Sequence, residues 1–369
     1  MRRIYIHELS DWPQFTWNRE RIAEPLADIR HRQGRLLGHM EALGFNLRQE
    51  AILETMTADV IKSSEIEGEK LDAEQVLSSL ARRLGVDIGA LKPTDRNVEG
   101  IVEMMLDATR NYDQPLTVER LFGWHASLFP TGRSGMTKIK VGAWREDRTG
   151  PMEVVSGAIA RERIHFEAPA AARVDGEMRV FLDWFNANAG TDLVLKAGLA
   201  HLWFVTIHPF EDGNGRIARA IADIVLARSE DSPQRFYSMS AQIRQQRAAY
   251  YEILEQTQKG TMDITPWMEW FLDCLGRAVD GAQTMLGGVL NKARFWERNQ
   301  EVPFNPRQRL MLNRLLDGFT GKLTTSKCAE LTKCSQDTAW RDILPLVERG
   351  ILVRNPSGGR STSYSLANH

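Results

Sequence analysis

Near the middle of the chain lies the stretch His208-Pro209-Phe210-Glu211-Asp212-Gly213-Asn214-Gly215-Arg216-Ile217-Ala218-Arg219. It separates two apolar runs of helix length, residues 193–207 and 217–226. Pro209 has no backbone N–H and disfavours helical geometry at His208, so the first helix is predicted to end close to His208. Surface turns favour Asp, Gly and Asn, but a turn does not need a histidine, an acid, two glycines and two arginines together between two apolar helices. The stretch is therefore interpreted as a binding site.

The glycines and arginines of this stretch suit a phosphate group. Gly213 and Gly215 would let the backbone approach a phosphate closely, and the N-terminus of the following helix offers unpaired N–H donors and the positive end of a dipole. Arg216 and Arg219 share one helical face and can bind phosphate oxygens together. No Lys-Ser or Lys-Thr pair follows the glycines, so the pattern is not a Walker A loop.

The acid and the histidine of the stretch add groups that phosphate chemistry needs. Asp212 offers a hard oxygen ligand of the kind that suits Mg²⁺ bound to phosphates. The ordinary pKa of a histidine lies near neutrality, which makes His208 the natural general base. Together they predict a site where a phosphate-containing group reacts.

The stretch resembles, position by position, the signature of Fic-domain proteins, His-Pro-Phe-x-(Asp/Glu)-Gly-Asn-Gly-Arg-x-x-Arg. Most family members that resemble it are adenylyltransferases, which move AMP from ATP to a protein hydroxyl. The resemblance implies a mainly α fold with a Fic-type helical core, His208 as catalytic base, Asp212 as metal ligand, and ATP and Mg²⁺ as cofactors. It also implies a nucleotide-binding set made of Gly213, Asn214, Gly215, Arg216, Ile217, Ala218 and Arg219.

A second pattern lies before this core, at the end of a helix predicted over residues 47–66. Glu67 stands at the C-terminus of that helix, where the dipole disfavours negative charge, and this hints at a partner elsewhere. Many Fic proteins carry an autoinhibitory helix with the pattern Ser/Thr-x-x-x-Glu-Gly/Asn, which Ser63, Glu67 and Gly68 resemble. The resemblance implies that these three residues are regulatory.

The expected partner of this glutamate is the second arginine of the central stretch. If Glu67 pairs with Arg219, it fills the position of the ATP γ-phosphate and inhibits transfer. Glu65 and Glu69 lack the spacing to Ser63, so no such role is expected of them.

Two extended runs, residues 138–145 and 152–157, are joined by a polar turn and predict a β-hairpin. In the family, a flap at this place holds the target protein by strand addition, which assigns residues 140–156 to that task. A hairpin that only covers the core is the alternative. His165 follows the flap and has no firm role.

Aromatic residues further along suggest where the base of a nucleotide binds. Tyr250 and Tyr251 lie on a helix predicted over residues 242–259, and the family has a Tyr-Tyr pair at this distance. Tyr251 is the better candidate for contact with adenine. Gln258 stands where the family often has Asn, and His201 is interpreted as structural.

The composition excludes several classes of protein. The 369 residues are 43% hydrophobic and 26% charged, with a formal net charge of −1, so no overall basic field indicates nucleic acid. No apolar run reaches the length of a membrane span, and the first residues lack a signal-peptide core. Three unpaired-looking cysteines suggest reduced thiols and a cytoplasmic protein.

Three domains are predicted: an N-terminal helical region over 1–95, the Fic core over 96–290, and a winged-helix domain over 300–369. In the last, an expected recognition helix carries residues that could reach base edges, and two arginines could contact DNA phosphates. A protein-contact or homodimer module is the alternative. The candidate DNA contacts are Ser335, Gln336, Thr338, Arg341, Arg354 and Arg360.

Other functions stay open at this point. Kinase-like Fic members have Lys at the position of Gly215, and phosphocholine-transferring members lack the acid at Asp212, so both departures favour AMP. Removal of AMP by the same site remains possible. A nucleotide-sensing DNA-binding regulator and an inert scaffold are the remaining alternatives.

Overall fold

The computed structural model is mainly α-helical. It describes residues 4–42, 44–89, 91–147, 150–156, 163–187, 190–316, 319, 321–356 and 362–367, without the side chains of 45, 46, 285 and 289. The chain divides into two compact units, Met1–Gln283 and Thr284–His369. None of the described helices is long and apolar enough to cross a membrane.

The larger unit contains most of the helices. In chain order these are α1 (Arg19–Glu41), α2 (Phe45–Ile66), α3 (Ala73–Leu84), α4 (Arg96–Arg110), α5 (Val118–Leu128), α6 (Ala171–Asn186), α7 (Leu193–Ile207), α8 (Asn214–Glu230), α9 (Met239–Gln245), α10 (Arg247–Gln258) and the first part of α11 (Thr265–Arg298), which continues past Gln283. The sequence ended the last of these near Gly287, whereas α11 continues to Arg298.

Helix α7 lies at the centre of this unit because its sequence is apolar on every side. All of its residues from Val194 to Ile207 are buried, as expected for a helix without a polar face. Gly198 faces the Phe271 ring so closely that a Cβ would lie 3.0 Å from it, and its carbonyl accepts a hydrogen bond from the Trp267 indole at 2.9 Å. Helix α8 packs along α7, and the loop that joins them carries the central sequence motif.

Four short strands form two hairpins in the larger unit: β1 (Arg133–Ser134) with β2 (Thr137–Lys138), and β3 (Glu153–Ser156) with β4 (Arg163–Glu167). The sequence had paired the third strand with residues 138–145, and that pairing is wrong. Residues 139–147 are used elsewhere, because several of their polar groups bond to the loop between α7 and α8. The flap assigned to 140–156 is therefore a hairpin over 153–167, whose turn lies outside the described residues.

The smaller unit has its own hydrophobic core, built around Met311, Leu312, Ile343 and Leu346. Its further elements are α12 (Pro306–Leu316), β5 (Leu323–Thr324), α13 (Thr325–Thr332), α14 (Gln336–Glu348), β6 (Leu352–Arg354) and β7 (Ser363–Leu366), with an antiparallel sheet ordered β5-β7-β6.

The proposed DNA contacts of this unit lie mostly on α14. Ser335 caps that helix, because its Oγ accepts a hydrogen bond from the Thr338 N–H at 3.2 Å. Arg341 is exposed, and Arg360 lies outside the described residues. DNA binding by residues 300–369 stays a prediction.

Candidate active site

The motif loop, residues 208–213, reverses the chain between α7 and α8. His208 ends α7 in the left-handed region at φ 51°, and Gly213 precedes α8 at φ 80°. A non-glycine residue rarely adopts this geometry without support from its surroundings. The support comes from Arg145, whose Nε donates to the His208 carbonyl at 2.8 Å and whose backbone N–H donates to the Pro209 carbonyl at 2.9 Å.

Arg145 is itself well fixed. Its side chain is 1% exposed, and its Nη1 pairs with the Asp147 carboxylate at 2.8 Å. Nearby, the Lys140 backbone N–H donates to Glu211 Oε2 at 2.9 Å, so the same segment holds both ends of the loop. Residues 139–147 therefore stabilise the motif loop through hydrogen bonds.

The surroundings of His208 prepare its ring to accept a proton. Nδ1 lies 3.3 Å from the Val205 carbonyl, which can only accept, so this contact places the hydrogen on Nδ1 and leaves Nε2 unprotonated. Burial lowers the pKa of His208 to about 4, and the ring is neutral at pH 7. A bound phosphate would raise this pKa, because negative charge favours the protonated ring.

Asn214 fixes the motif loop from inside. Its Oδ1 accepts from the Phe210 N–H at 3.0 Å, and its Nδ2 donates to the Phe210 carbonyl at 2.8 Å. The sequence placed this residue among the groups that bind phosphate. Its side chain is committed to the loop, so only its backbone N–H, in the first turn of α8, remains for a ligand.

Asp212, next to the last residue of the motif loop, supplies the carboxylate that is expected to bind Mg²⁺. It accepts hydrogen bonds from the Ser134 hydroxyl and, at 2.5 Å, from the Gly213 N–H. The described residues contain no group of three or more metal-ligating side chains. One carboxylate nevertheless fits Mg²⁺, which is commonly held by one or two carboxylates together with substrate phosphates and water.

Both arginines of the motif are buried, each with 2% of its surface exposed. Arg216 Nε and Arg219 Nη1 are buried donors without a hydrogen-bond partner within the described ranges. Arg216 also lies over the Phe129 ring, 5.1 Å from its centroid. Two buried cations with unused donors on adjacent turns of one helix form a site that an oxyanion would complete.

The cover segment, residues 63–69, closes over this site from the end of α2. Glu67 Oε1 lies 2.8 Å from Arg219 Nη2, and Ser63 accepts from the same guanidinium through its hydroxyl and its carbonyl at 3.0 and 2.9 Å. Glu67 lies so close above Gly215 that a Cβ there would overlap its carboxylate. The carboxylate thus occupies the space over the first turn of α8, where a phosphate was expected.

Two features of the cover segment were not found from the sequence. Glu69, of which no role was expected, lies with its Oε2 2.6 Å from Arg216 Nη1. The Ile66 carbonyl accepts from Arg247 Nε at 2.7 Å and from the Tyr251 hydroxyl at 3.3 Å. The inhibitory pattern contains one glutamate, so it identifies Glu67 and not Glu69. The Arg-x-x-Arg spacing was the available signal, because it offers two cations that acids could pair with.

A cavity of about 470 Å³ joins the motif loop to the flap and to α10. His208, Gly215, Tyr251 and Gln258 are among the residues that line it. Its other lining residues are Glu67, Val154, Val155, Ser156, His165, Phe166, Val205, Arg247, Tyr250, Leu254 and Glu255. The structure therefore brings the predicted base, helix N-terminus and aromatic residues into one space.

His201 has a structural partner, as interpreted from the sequence. It is buried on α7, and its Nε2 lies 2.9 Å from the Tyr250 hydroxyl. Burial lowers the pKa of His201 to about 3, so the ring is neutral at pH 7. This pair fixes Tyr250 beside Tyr251, and both tyrosines line the cavity, with the Arg247 guanidinium 5.1 Å from the centroid of the Tyr251 ring.

Polar residues attach the flap to α10. His165 lies between Ser156 Oγ and Glu255 Oε2, at 2.5 Å from each through its two ring nitrogens, and Arg163 pairs with the same glutamate at 2.8 Å. Burial would raise the pKa of Glu255, but hydrogen bonds from Lys259, His165 and Arg163 lower it to about 2. His165 thus positions the flap over the cavity.

Comparison with known proteins agrees with this geometry. Residues 115–226 match the Fic/DOC family, and residues 5–86 match a domain of unknown function, DUF4172. The protein named "Protein adenylyltransferase Fic" from Drosophila willistoni is 36% identical over 105 residues, and that from Nematostella vectensis is 35% identical over 116 residues. These matches cover 28% and 30% of this chain, and only 20% and 25% of the relatives.

Solved structures show the same fold over a longer span. A Fic family protein from Desulfovibrio desulfuricans G20 superposes with a TM-score of 0.56 at 20% identity, covering 97% of this chain and 98% of its own. A Fic-domain-containing signalling protein from Bacteroides thetaiotaomicron gives 0.51 at 22% identity, covering 72% and 97%. Residues 115–226 therefore form a Fic domain, and the chain shares the fold of these solved Fic proteins.

Proposed function

We propose that this chain is a protein adenylyltransferase that transfers AMP from Mg-ATP to a Tyr, Thr or Ser hydroxyl of a target protein and of itself. The observation that carries the proposal is that one cavity is lined both by His208 and by Gly215, in the first turn of α8. The name of the curated relatives supports the same chemistry at the level of the domain.

The phosphates of ATP would bind at the start of α8. The first backbone N–H groups of a helix have no partner within it, and Gly215 leaves them open to a ligand. Arg216 Nε and Arg219 Nη1 are the buried donors that phosphate oxygens would satisfy. Asp212 would hold Mg²⁺, which would offset the negative charge of the phosphates.

The transfer step needs one proton acceptor. In the proposed reaction the target oxygen attacks the α-phosphorus, the bond to pyrophosphate breaks, and His208 Nε2 takes the hydroxyl proton. The contact between Nδ1 and the Val205 carbonyl holds the ring in the tautomer that this requires. Because little covalent chemistry falls to the protein, catalysis rests on positioning and on charge.

The remaining cavity suits the base and the target. Tyr251 and Gln258 both line the cavity, so the Tyr251 ring and the Gln258 side chain, whose Nε2 also donates to the Thr206 hydroxyl at 3.3 Å, would border the adenine. The target segment would add a strand to the β3–β4 hairpin, where backbone hydrogen bonds bind many sequences. Val155 and Ile164 of that hairpin are exposed apolar residues that such a segment would cover.

Glu67 would keep the enzyme inhibited. Its carboxylate neutralises Arg219 and lies above Gly215, so ATP can bind only in a pose unsuited to in-line attack.

A homodimer remains a prediction.

The test is a comparison of His208→Ala with its parent, both in the Glu67→Gly background. With α-labelled ATP, Mg²⁺ and cell lysate, we expect the parent to label proteins that mass spectrometry identifies as AMP-modified. His208→Ala should lose the label while still binding ATP, because its side chain lies outside the phosphate contacts. His39→Ala, an exposed position on α1, is the matched control. Equal labelling by His208→Ala would contradict the assignment of the base.

A further inference from the structure

The cover segment contains a second carboxylate that meets the second buried cation of the site. Glu69 Oε2 lies 2.6 Å from Arg216 Nη1, while Glu67 pairs with Arg219. The two arginines are three residues apart on α8, and the two glutamates are two apart on the cover segment. Each cation of the proposed phosphate site therefore has its own acid.

The local backbone explains how two neighbouring acids reach the same helix. Gly68 lies between them in the left-handed region at φ 86°, which a glycine adopts without strain. The Gly68 N–H donates to the Glu65 carbonyl at 3.2 Å, and the Glu69 N–H donates to the Ser64 carbonyl at 3.0 Å. These two bonds form a Schellman motif, so Glu69 belongs to a fixed helix end.

Arg216 is the cation that compensates the negative charge of Glu69, which lies near two other acids. Burial, together with the charges of Asp212 and Glu67, raises the pKa of Glu69, and Arg216 opposes that rise. A third acid close to two others is unfavourable unless a cation compensates it. Since Arg216 is 2% exposed, Glu69 supplies a counter-charge that water cannot provide there.

We propose that Glu69 is a second inhibitory residue, which occupies Arg216 as Glu67 occupies Arg219, so that the cover segment imitates two phosphate groups. The inference rests on the proposed function, because it takes both arginines to be phosphate ligands. It implies that removal of Glu67 alone opens the site only in part, and that Mg-ATP must displace both acids to bind fully.

The test measures Mg-ATP binding by isothermal titration calorimetry, beside AMP transfer, for Glu69→Gln, Glu67→Gln and the double variant. We expect Glu69→Gln to tighten Mg-ATP binding about five- to tenfold, at the low end of usual coupling because Glu69 is partly exposed. The double variant should bind more tightly than either single one. Glu65→Gln is the control, because Glu65 lies on the same helix end and pairs with Lys62 at 2.9 Å and Arg244 at 3.4 Å.

Two results would overturn the inference. The first is that Glu69→Gln leaves the affinity for Mg-ATP unchanged, both in the parent and in Glu67→Gln. The second is that Glu65→Gln tightens Mg-ATP binding as much as Glu69→Gln does. The two readouts also separate it from the proposed function. Tighter Mg-ATP binding by Glu69→Gln without AMP transfer by any variant supports the second acid and contradicts the adenylyltransferase. If Glu67→Gln transfers AMP while Glu69→Gln changes neither Mg-ATP binding nor AMP transfer, the adenylyltransferase is supported and the inhibitory role of Glu69 is contradicted.

Discussion

The motif loop and the cover segment meet at one site but are held in different ways. The loop is fixed by neutral and charged groups that belong to its own surroundings, chiefly Asn214 and Arg145. Close to the site, the cover segment is held by contacts with Arg216 and Arg219, the cations that a nucleotide would use, and by hydrogen bonds from Arg247 and Tyr251 to the Ile66 carbonyl. The proposed phosphate site is thus held independently of its cover, and the cover is attached in part to the groups for which a phosphate would compete.

The largest expected effect comes from breaking the loop rather than its cover. Asn214→Ala leaves the buried Phe210 N–H and carbonyl without partners, at a cost of about 1–3 kcal/mol for each group. We expect a lower free energy of unfolding in urea and near-complete loss of Mg-ATP binding, because the first turn of α8 no longer has a fixed direction.

Asn186→Ala is the matched control for that experiment. Asn186 makes the same pair of bonds with the Leu116 backbone, accepting at 2.9 Å and donating at 2.8 Å, outside the cavity lining. It should lower stability while leaving Mg-ATP binding at the parental level. Equal loss of binding in both variants would show that the loop has no special role.

A smaller effect is expected from weakening the cover segment at Ser63. Ser63→Ala removes the hydroxyl that accepts from Arg219 Nε but keeps the carbonyl contact. One hydrogen bond of about 0.5–1.5 kcal/mol corresponds to a rise in AMP transfer of about two- to tenfold. The readout is the initial rate of labelled AMP incorporation.

Ser64→Ala separates this effect from general loosening of α2. The Ser64 hydroxyl is also buried, and it has no hydrogen-bond partner among the residues that the structure describes. Its removal should leave the rate unchanged. If Ser63→Ala and Ser64→Ala raise the rate of AMP transfer equally, the contact between Ser63 and Arg219 is not what holds the cover segment.

How far the sequence predicts the structure depends on whether an interaction is local. The end of α7 at His208 and the start of α8 at the glycines follow from Pro209 and from the composition of one short stretch, and the structure has both. The pair between Glu67 and Arg219 was reachable because a glutamate at a helix C-terminus needs a cation.

One feature that the sequence missed depends on distant partners. Residues 138–145 are predicted as an extended run, yet Arg145 and Lys140 bond to the motif loop, and β3 pairs with β4 instead. The sequence of this segment does not indicate whether it will pair with another strand or bond to the motif loop. Glu69 was missed for a different reason: it lacks the spacing to Ser63 that singled out Glu67, although Arg216 and Arg219 lie equally far along the chain.

The most direct test of the account is the rate of labelled AMP incorporation by Glu67→Gly. Loss of the pair with Arg219 should raise self-modification and target labelling by about ten- to a hundredfold, as expected for a coupling energy of about 1–3 kcal/mol. Glu65→Gly, on the same helix end, should label at the parental rate. The account is contradicted if Glu67→Gly labels no faster than the parent, or if Glu65→Gly labels as fast as Glu67→Gly.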